Sequence, residues 1–212
     1  MDHLVDLSRV ASPSSLLPRT PRLVDCLLAF SVFFSVAISV SNGNPLRVAV
    51  AAVPLVVGIL LLLERPVRCS GSFGQAMACL PAITLAGPVL AFAAPWSDWT
   101  HFNTALLGSG VVITVVSLST LGRSFGIFPA ARRVVHSGPY RWVRHPAYLG
   151  QLLILTACGL SVSPQMGGLT MLVATACLGL RIRAEEQVLT EQWASYREYT
   201  QQVPWKLMPF IW

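Results

Sequence analysis

Apolar residues in this chain are gathered into long blocks rather than alternating with polar ones. Four runs, 23–40, 46–63, 76–94 and 104–121, are almost uninterrupted, and each is close to the roughly 20 residues a helix needs to cross a hydrocarbon core of about 30 Å. Two further runs, 147–162 and 165–180, are separated only by Ser163 and Pro164. At about 1.5 Å per residue each would reach only about 24 Å, so the pair predicts a tight helical hairpin that crosses where the bilayer thins or stops short of crossing. Beyond Glu186, the apolar positions Val188, Leu189, Trp193 and Tyr196 are spaced by polar ones. That spacing predicts an amphipathic helix at the membrane interface, ending before Val203-Pro204. The predicted fold is all-α: a polytopic transmembrane bundle of four spans plus a C-terminal helical hairpin, with a polar connector before the hairpin and an amphipathic helix after it.

Composition supports the membrane class, since 54% of the 212 residues are apolar and only 11% charged, with a mean hydropathy of +0.62, values rare in water-soluble domains. Three regions follow: a lead-in at 1–22, Ser/Pro-rich over 11–21; a four-helix scaffold at 23–121; and a polar-to-apolar core at 122–212. Asp2 and Asp6 precede the first apolar run and no small-residue cleavage pattern follows it, so the first helix is expected to be retained.

The net charge of +6 comes from 14 Arg and one Lys. If six apolar segments alternate across the membrane, one face receives every one of them except Arg47. The positive-inside rule then predicts that both termini and the 122–146 connector lie in the cytoplasm. For most of these arginines, topology and attraction to anionic lipid suffice, and nucleic acid is not implied. The five cysteines form no CxxC pair and sit mostly in or beside apolar runs. They read as buried thiols, and no metal site is proposed. Gly108-Ser-Gly110 lies inside an apolar run without a third glycine or alternating strands, which excludes a soluble dinucleotide-binding fold.

Ionisable groups are scarce inside the first four apolar runs, so the candidate chemistry lies downstream. Ser137-Gly-Pro139 is a turn signal, and His145 before Pro146 is biased away from helix. A helix is therefore expected to start at Pro146 with its first N–H groups open, a setting that favours an anion. Arg181 and Glu185 are four apart and share a helix face. An intrahelical salt bridge at a membrane exit accounts for them at little energy. The hairpin, however, also folds this face back towards His145 and Tyr148, which makes a candidate site at a membrane boundary. The aromatic-rich tail 205–212 reads as an interfacial anchor or as a flap over the substrate.

The ordered set SGPYRWVRHPAYLG at 137–150, a short hairpin, Arg181-x-x-x-Glu185-Glu186, Tyr196-x-x-Tyr199 and VPWKLMPFI at 203–211 resembles the isoprenylcysteine carboxyl methyltransferase family. The resemblance covers about 122–212. Phospholipid N-methyltransferases and membrane sterol reductases share related C-terminal halves, the reductases using NADPH. By position, the resemblance implies an S-adenosylmethionine pocket contacted by Tyr140, His145, Pro146, Ala147, Tyr148 and Glu185, with Arg132, Arg133, Val134 and Val135 lining it. It makes Arg181 the substrate-binding residue and Arg181 and Glu185 the catalytic pair. The implied activity is methylation of a carboxylate on a lipophilic or prenylcysteine-type acceptor that arrives from the bilayer. Methylation of a lipid amine or hydroxyl, an NADPH-dependent reductase and a non-catalytic membrane interaction protein are the alternatives. The sequence leaves the acceptor and the oligomeric state open.

Overall fold

The computed structural model describes residues 45–63, 69–70, 85–124, 130–131 and 134–212, with isolated positions at 30, 33, 37, 74 and 81. The lead-in at 1–22, most of the 23–40 run and most of 76–84 lie outside the described residues. So do Arg132 and Arg133.

The described chain is helical apart from one two-residue antiparallel pairing, β1 (Cys69–Ser70) with β2 (Ala130–Ala131). Helix α1 spans Pro45–Leu63, matching the second apolar run. Of the 76–94 run, the described part holds Pro81, in helix, and the six-residue helix α2, Ala86–Ala91. The chain leaves the helix at Phe92, and the Ala94 N–H is bonded instead to Ser161 Oγ at 3.1 Å. Helix α3, His101–Leu121, is started by Thr100, whose hydroxyl accepts from the Asn103 N–H at 3.2 Å.

The hairpin consists of α4, Pro146–Val162, and α5, Pro164–Gln192. Ser163 makes the reversal with an extended backbone and caps α5 by accepting from the Met166 N–H at 3.1 Å. The expected lengths hold for α4 but not for α5, which continues unbroken for 29 residues. At about 1.5 Å per residue that is about 43 Å. The continuation follows buried residues at i+4 steps, Thr170, Ala174, Leu178 and Ile182, then Ala184 and Val188, which carry the buried face through the polar 181–186 segment. The expected amphipathic helix therefore does not begin after Glu186. It is the shorter α6, Ala194–Gln202, set off by the extended backbone at Trp193 and burying Tyr196 and Tyr199.

Helix α4 is the centre of the bundle, packed against α3 on one side and α5 on the other. Gly110 and Gly150 set the α3–α4 spacing: a Cβ at Gly150 would lie 2.6 Å from the Gly110 carbonyl and collide with Thr114 Oγ1. Small residues that let backbones approach are how helices associate where lipid provides no hydrophobic drive. Among the described residues α3 and α5 are long and apolar enough to cross a membrane, yet only 28% and 33% of their apolar windows are buried. Phe102, Val112, Val116, Leu169, Leu172 and Leu180 face outward, as residues in contact with acyl chains do.

Candidate functional site

The site lies at the end of the hairpin opposite Ser163, where the start of α4 meets residues 181–186 of α5. The sequence dictates the approach. Gly138 takes a left-handed backbone (φ 58°), Pro139 follows in a short 3-10 turn over Gly138–Arg141, and His145-Pro146 forces the chain out of and then into helix. Tyr148, in the first turn of α4, is thereby aimed across at α5.

Its hydroxyl donates to Glu185 Oε2 at 2.6 Å and accepts from Arg181 Nε at 2.8 Å. The Arg181 guanidinium carbon lies 5.2 Å from the centre of the same ring. Arg181 and Glu185 are therefore organised by a residue of the other helix, beyond what an intrahelical pair on its own would give. His145 stacks on Tyr148 with ring centres 5.5 Å apart and planes at 11°.

Glu186, next along α5, forms a second centre. Its Oε1 lies 3.2 Å from His145 Nε2 and 3.2 Å from Arg144 Nε, the latter an ion pair without aligned hydrogen-bond geometry. Its Oε2 lies 2.9 Å from Lys206 Nζ. Lys206 belongs to the tail, which docks by backbone hydrogen bonds: Arg144 N–H donates to the Trp205 carbonyl at 2.9 Å and His145 N–H to the Lys206 carbonyl at 2.8 Å. Of the first-turn N–H groups of α4 expected to be open, that of Tyr148 is taken by the His145 carbonyl at 3.1 Å, while the tail docks just ahead of the helix. The Leu149 N–H bonds the same carbonyl. The tail is a structural strap at this end of the hairpin.

Helix α6 closes the other side. Tyr199 donates to the Tyr140 carbonyl at 2.6 Å and meets the His136 ring edge-on at 4.7 Å. Burial pushes the Tyr199 hydroxyl up to about 12. Burial, then the nearby Glu185 charge, holds Tyr140 well above the ordinary phenol value. Both remain neutral donors at physiological pH.

Of the residues singled out from the sequence, Tyr140, His145, Pro146, Ala147, Tyr148, Arg181 and Glu185 come together at this end of the hairpin. Tyr140, His145 and Pro146 are buried, and Ala147 is half-buried in the first turn of α4. Val134 and Val135 are half-buried, and Val134 packs on the Tyr196, Tyr199 and Val203 cluster of α6. Arg132 and Arg133 lie outside the described residues. Sequence reasoning missed the role of Glu186, Arg144 and Lys206. The double glutamate 185–186 and the chain's single lysine were the available signals. Among the described residues Cys158 is a buried free thiol and Cys177 a half-buried one.

This is a helical membrane-type bundle with a charged site at the polar end of its hairpin. Residues 104–191, from α3 to the end of α5, match the model of the Isoprenylcysteine carboxyl methyltransferase (ICMT) family, so the resemblance carried by the motifs holds for that segment. The match and the two long apolar helices both point to a membrane protein. The chain is also similar to the Delta(14)-sterol reductase TM7SF2 of Mus musculus, with 34% identity over 104 residues, or 46% of this chain and 23% of the relative. The chain thus spans under a quarter of that relative's length.

Proposed function

We propose that the chain is a multi-pass membrane methyltransferase that uses S-adenosylmethionine to methylate a carboxylate on a lipophilic or prenylcysteine-type acceptor. Residues 23–121 serve as the scaffold and 122–212 as the methyltransferase core. The arginine distribution supports a cytoplasmic location for both termini and the connector, so that the soluble cofactor enters from the cytoplasm and the acceptor from the bilayer. The observation that carries the reading is the Arg181–Tyr148–Glu185 cluster, built across the hairpin inside the family-matched segment.

The donor set fits the cofactor. A nucleoside with an amino-acid arm needs an acceptor for its cationic side, donors for its oxygens and flat surfaces for its base. Glu185, the Tyr148 hydroxyl and the His145/Tyr148 stack supply these types, with Tyr140, Pro146 and Ala147 beside them. Arg132, Arg133, Val134 and Val135 are proposed to complete the lining. When bound, the cofactor supplies a methyl group activated on a sulfonium.

The protein's task is to hold an acceptor in line with that methyl and to exclude water. A carboxylate is already ionised at neutral pH and needs no general base. It needs a cation, and Arg181 offers a planar two-donor fork whose orientation is set through Nε by Tyr148. Glu185, held by the same hydroxyl, fixes the other end of that arrangement. Lysine at 181 keeps the charge but loses the fork. Transfer of labelled methyl into lipid-extractable product should therefore fall by roughly a hundredfold, about 2.7 kcal/mol, in Arg181→Lys, with S-adenosylhomocysteine affinity little changed. Near wild-type turnover would transfer the assignment to a lipid amine or hydroxyl acceptor.

The 34% identity to a sterol reductase supports a second reading, an NADPH-dependent reductase sharing this hairpin. Side-by-side binding of S-adenosylhomocysteine and NADPH separates the two. A membrane interaction protein without turnover would bind neither.

A further inference from the structure

Two tyrosines one turn apart on α6 use their hydroxyls in opposite ways. Tyr196 and Tyr199 are each only 3% exposed, their rings tilted with centres 5.8 Å apart. Tyr199 donates to the Tyr140 carbonyl and ties α6 to the connector. The Tyr196 hydroxyl is fully enclosed and has no hydrogen-bond partner among the described residues. Buried hydroxyls are ordinarily partnered, because leaving one unpaired forfeits its hydration for nothing. A phenylalanine would fill the same space, so the oxygen calls for an explanation.

Its position suggests one. The ring packs in the cluster that includes Val134 of the connector and Leu189 and Trp193 at the end of α5. It is therefore wedged between the two segments that carry the candidate site. Burial first, then the negative charges of Glu186 and Glu185, opposed by Arg144, keep the hydroxyl protonated. It is a neutral donor near enough to Glu186 and Glu185 for their charges to act on it.

We propose that Tyr196 is a ligand-binding residue of this site, its hydroxyl donating a hydrogen bond to an acceptor atom of a nucleoside-type cofactor held between the connector and residues 185–186. The inference rests on the methyltransferase reading only for the choice of first probe. It makes two demands that a structural tyrosine would not meet together: the oxygen contributes nothing to the ligand-free fold, and it contributes to affinity.

The test uses full-length wild type, Tyr196→Phe and Tyr199→Phe, purified in detergent. Each is measured for thermal stability without ligand and for S-adenosylhomocysteine affinity by calorimetry. Tyr196→Phe is expected to be as thermostable as the wild type or more so, and to bind three- to tenfold more weakly, the range of one hydrogen bond. Tyr199→Phe, which loses a made bond, is expected to melt earlier. A ligand-free stability loss in Tyr196→Phe matching that of Tyr199→Phe overturns the inference, as does unchanged affinity where the wild type binds. If the wild type binds no S-adenosylhomocysteine, the methyltransferase reading fails by itself. The same pair is then compared with NADPH, where weaker binding by Tyr196→Phe supports the inference. Equal binding, or binding by neither protein, overturns it.

Discussion

The two ends of the α4–α5 hairpin are built from opposite principles. At the Ser163 end most polar devices are local, apart from the Ala94 N–H that bonds Ser161 Oγ. Ser163 caps its own helix through Met166, the Ser161 hydroxyl donates to the Cys158 carbonyl at 2.6 Å, and Gly159 lies against Thr170 so closely that a Cβ would come within 2.6 Å of its hydroxyl oxygen. At the other end the polar side chains reach between elements. Tyr148 of α4 holds Arg181 and Glu185 of α5, while Glu186 gathers Arg144, His145 and Lys206 from the connector and the tail. Local satisfaction makes a stable turn with nothing left to bind. Convergence from several segments brings titratable groups together in one place, which is the arrangement chemistry requires.

That contrast can be broken most forcefully at Glu186. Removing it leaves Arg144, His145 and Lys206 facing one another without their shared carboxylate, and Glu186→Ala should cost about 3 kcal/mol, the lower end for breaking a buried pair, because the cluster is partly solvated. The tail should loosen with it. Lys206 is the only lysine, so a lysine-specific protease cuts once, and cleavage should be slow in the wild type and much faster in Glu186→Ala. Equal cleavage rates would show that the strap does not depend on this cluster.

The packing that holds α4 in place should be nearly as sensitive. Gly150→Val puts side-chain atoms into the Gly110 carbonyl and Thr114, an overpacking worth about 2–3 kcal/mol in a thermal melt. At the local end the effect should be smallest. Ser163→Ala removes one cap, about 1 kcal/mol, and should leave ligand affinity untouched. A change in affinity from Ser163→Ala would contradict the separation of the two ends. Their placement on opposite membrane faces is tested by introducing cysteine at Ser137 or Ser163 and labelling from one side. Labelling of both from the same side breaks the alternating topology.

Much of this was legible in the chain because the apolar blocks are long and their breaks are sharp. The 46–63 and 104–121 runs became α1 and α3, and Ser163-Pro164 marked the hairpin turn to the residue. The convergence of His145, Tyr148, Arg181 and Glu185 followed from folding that hairpin back on itself. The length of α5 did not follow, because hydropathy stops at Leu180 while the helix is continued by the packing of Ile182, Ala184 and Val188. The Glu186 hub was invisible for a different reason: its partners are 20 to 42 residues away in sequence, and only the docking of the tail brings Lys206 to it. The docking of the tail just ahead of α4 was invisible for the same reason, since the Arg144 and His145 N–H groups are taken by backbone from 205–206.

The central claim, that the convergent end is a site for S-adenosylmethionine, is tested most directly by calorimetry on the purified wild type, His145→Ala and Glu185→Ala, titrated with S-adenosylhomocysteine and separately with NADPH. The account predicts that the wild type binds S-adenosylhomocysteine and that each variant binds it more than tenfold more weakly, a loss above about 1.4 kcal/mol. Binding of NADPH in place of S-adenosylhomocysteine, or affinity unchanged in both variants, would contradict it.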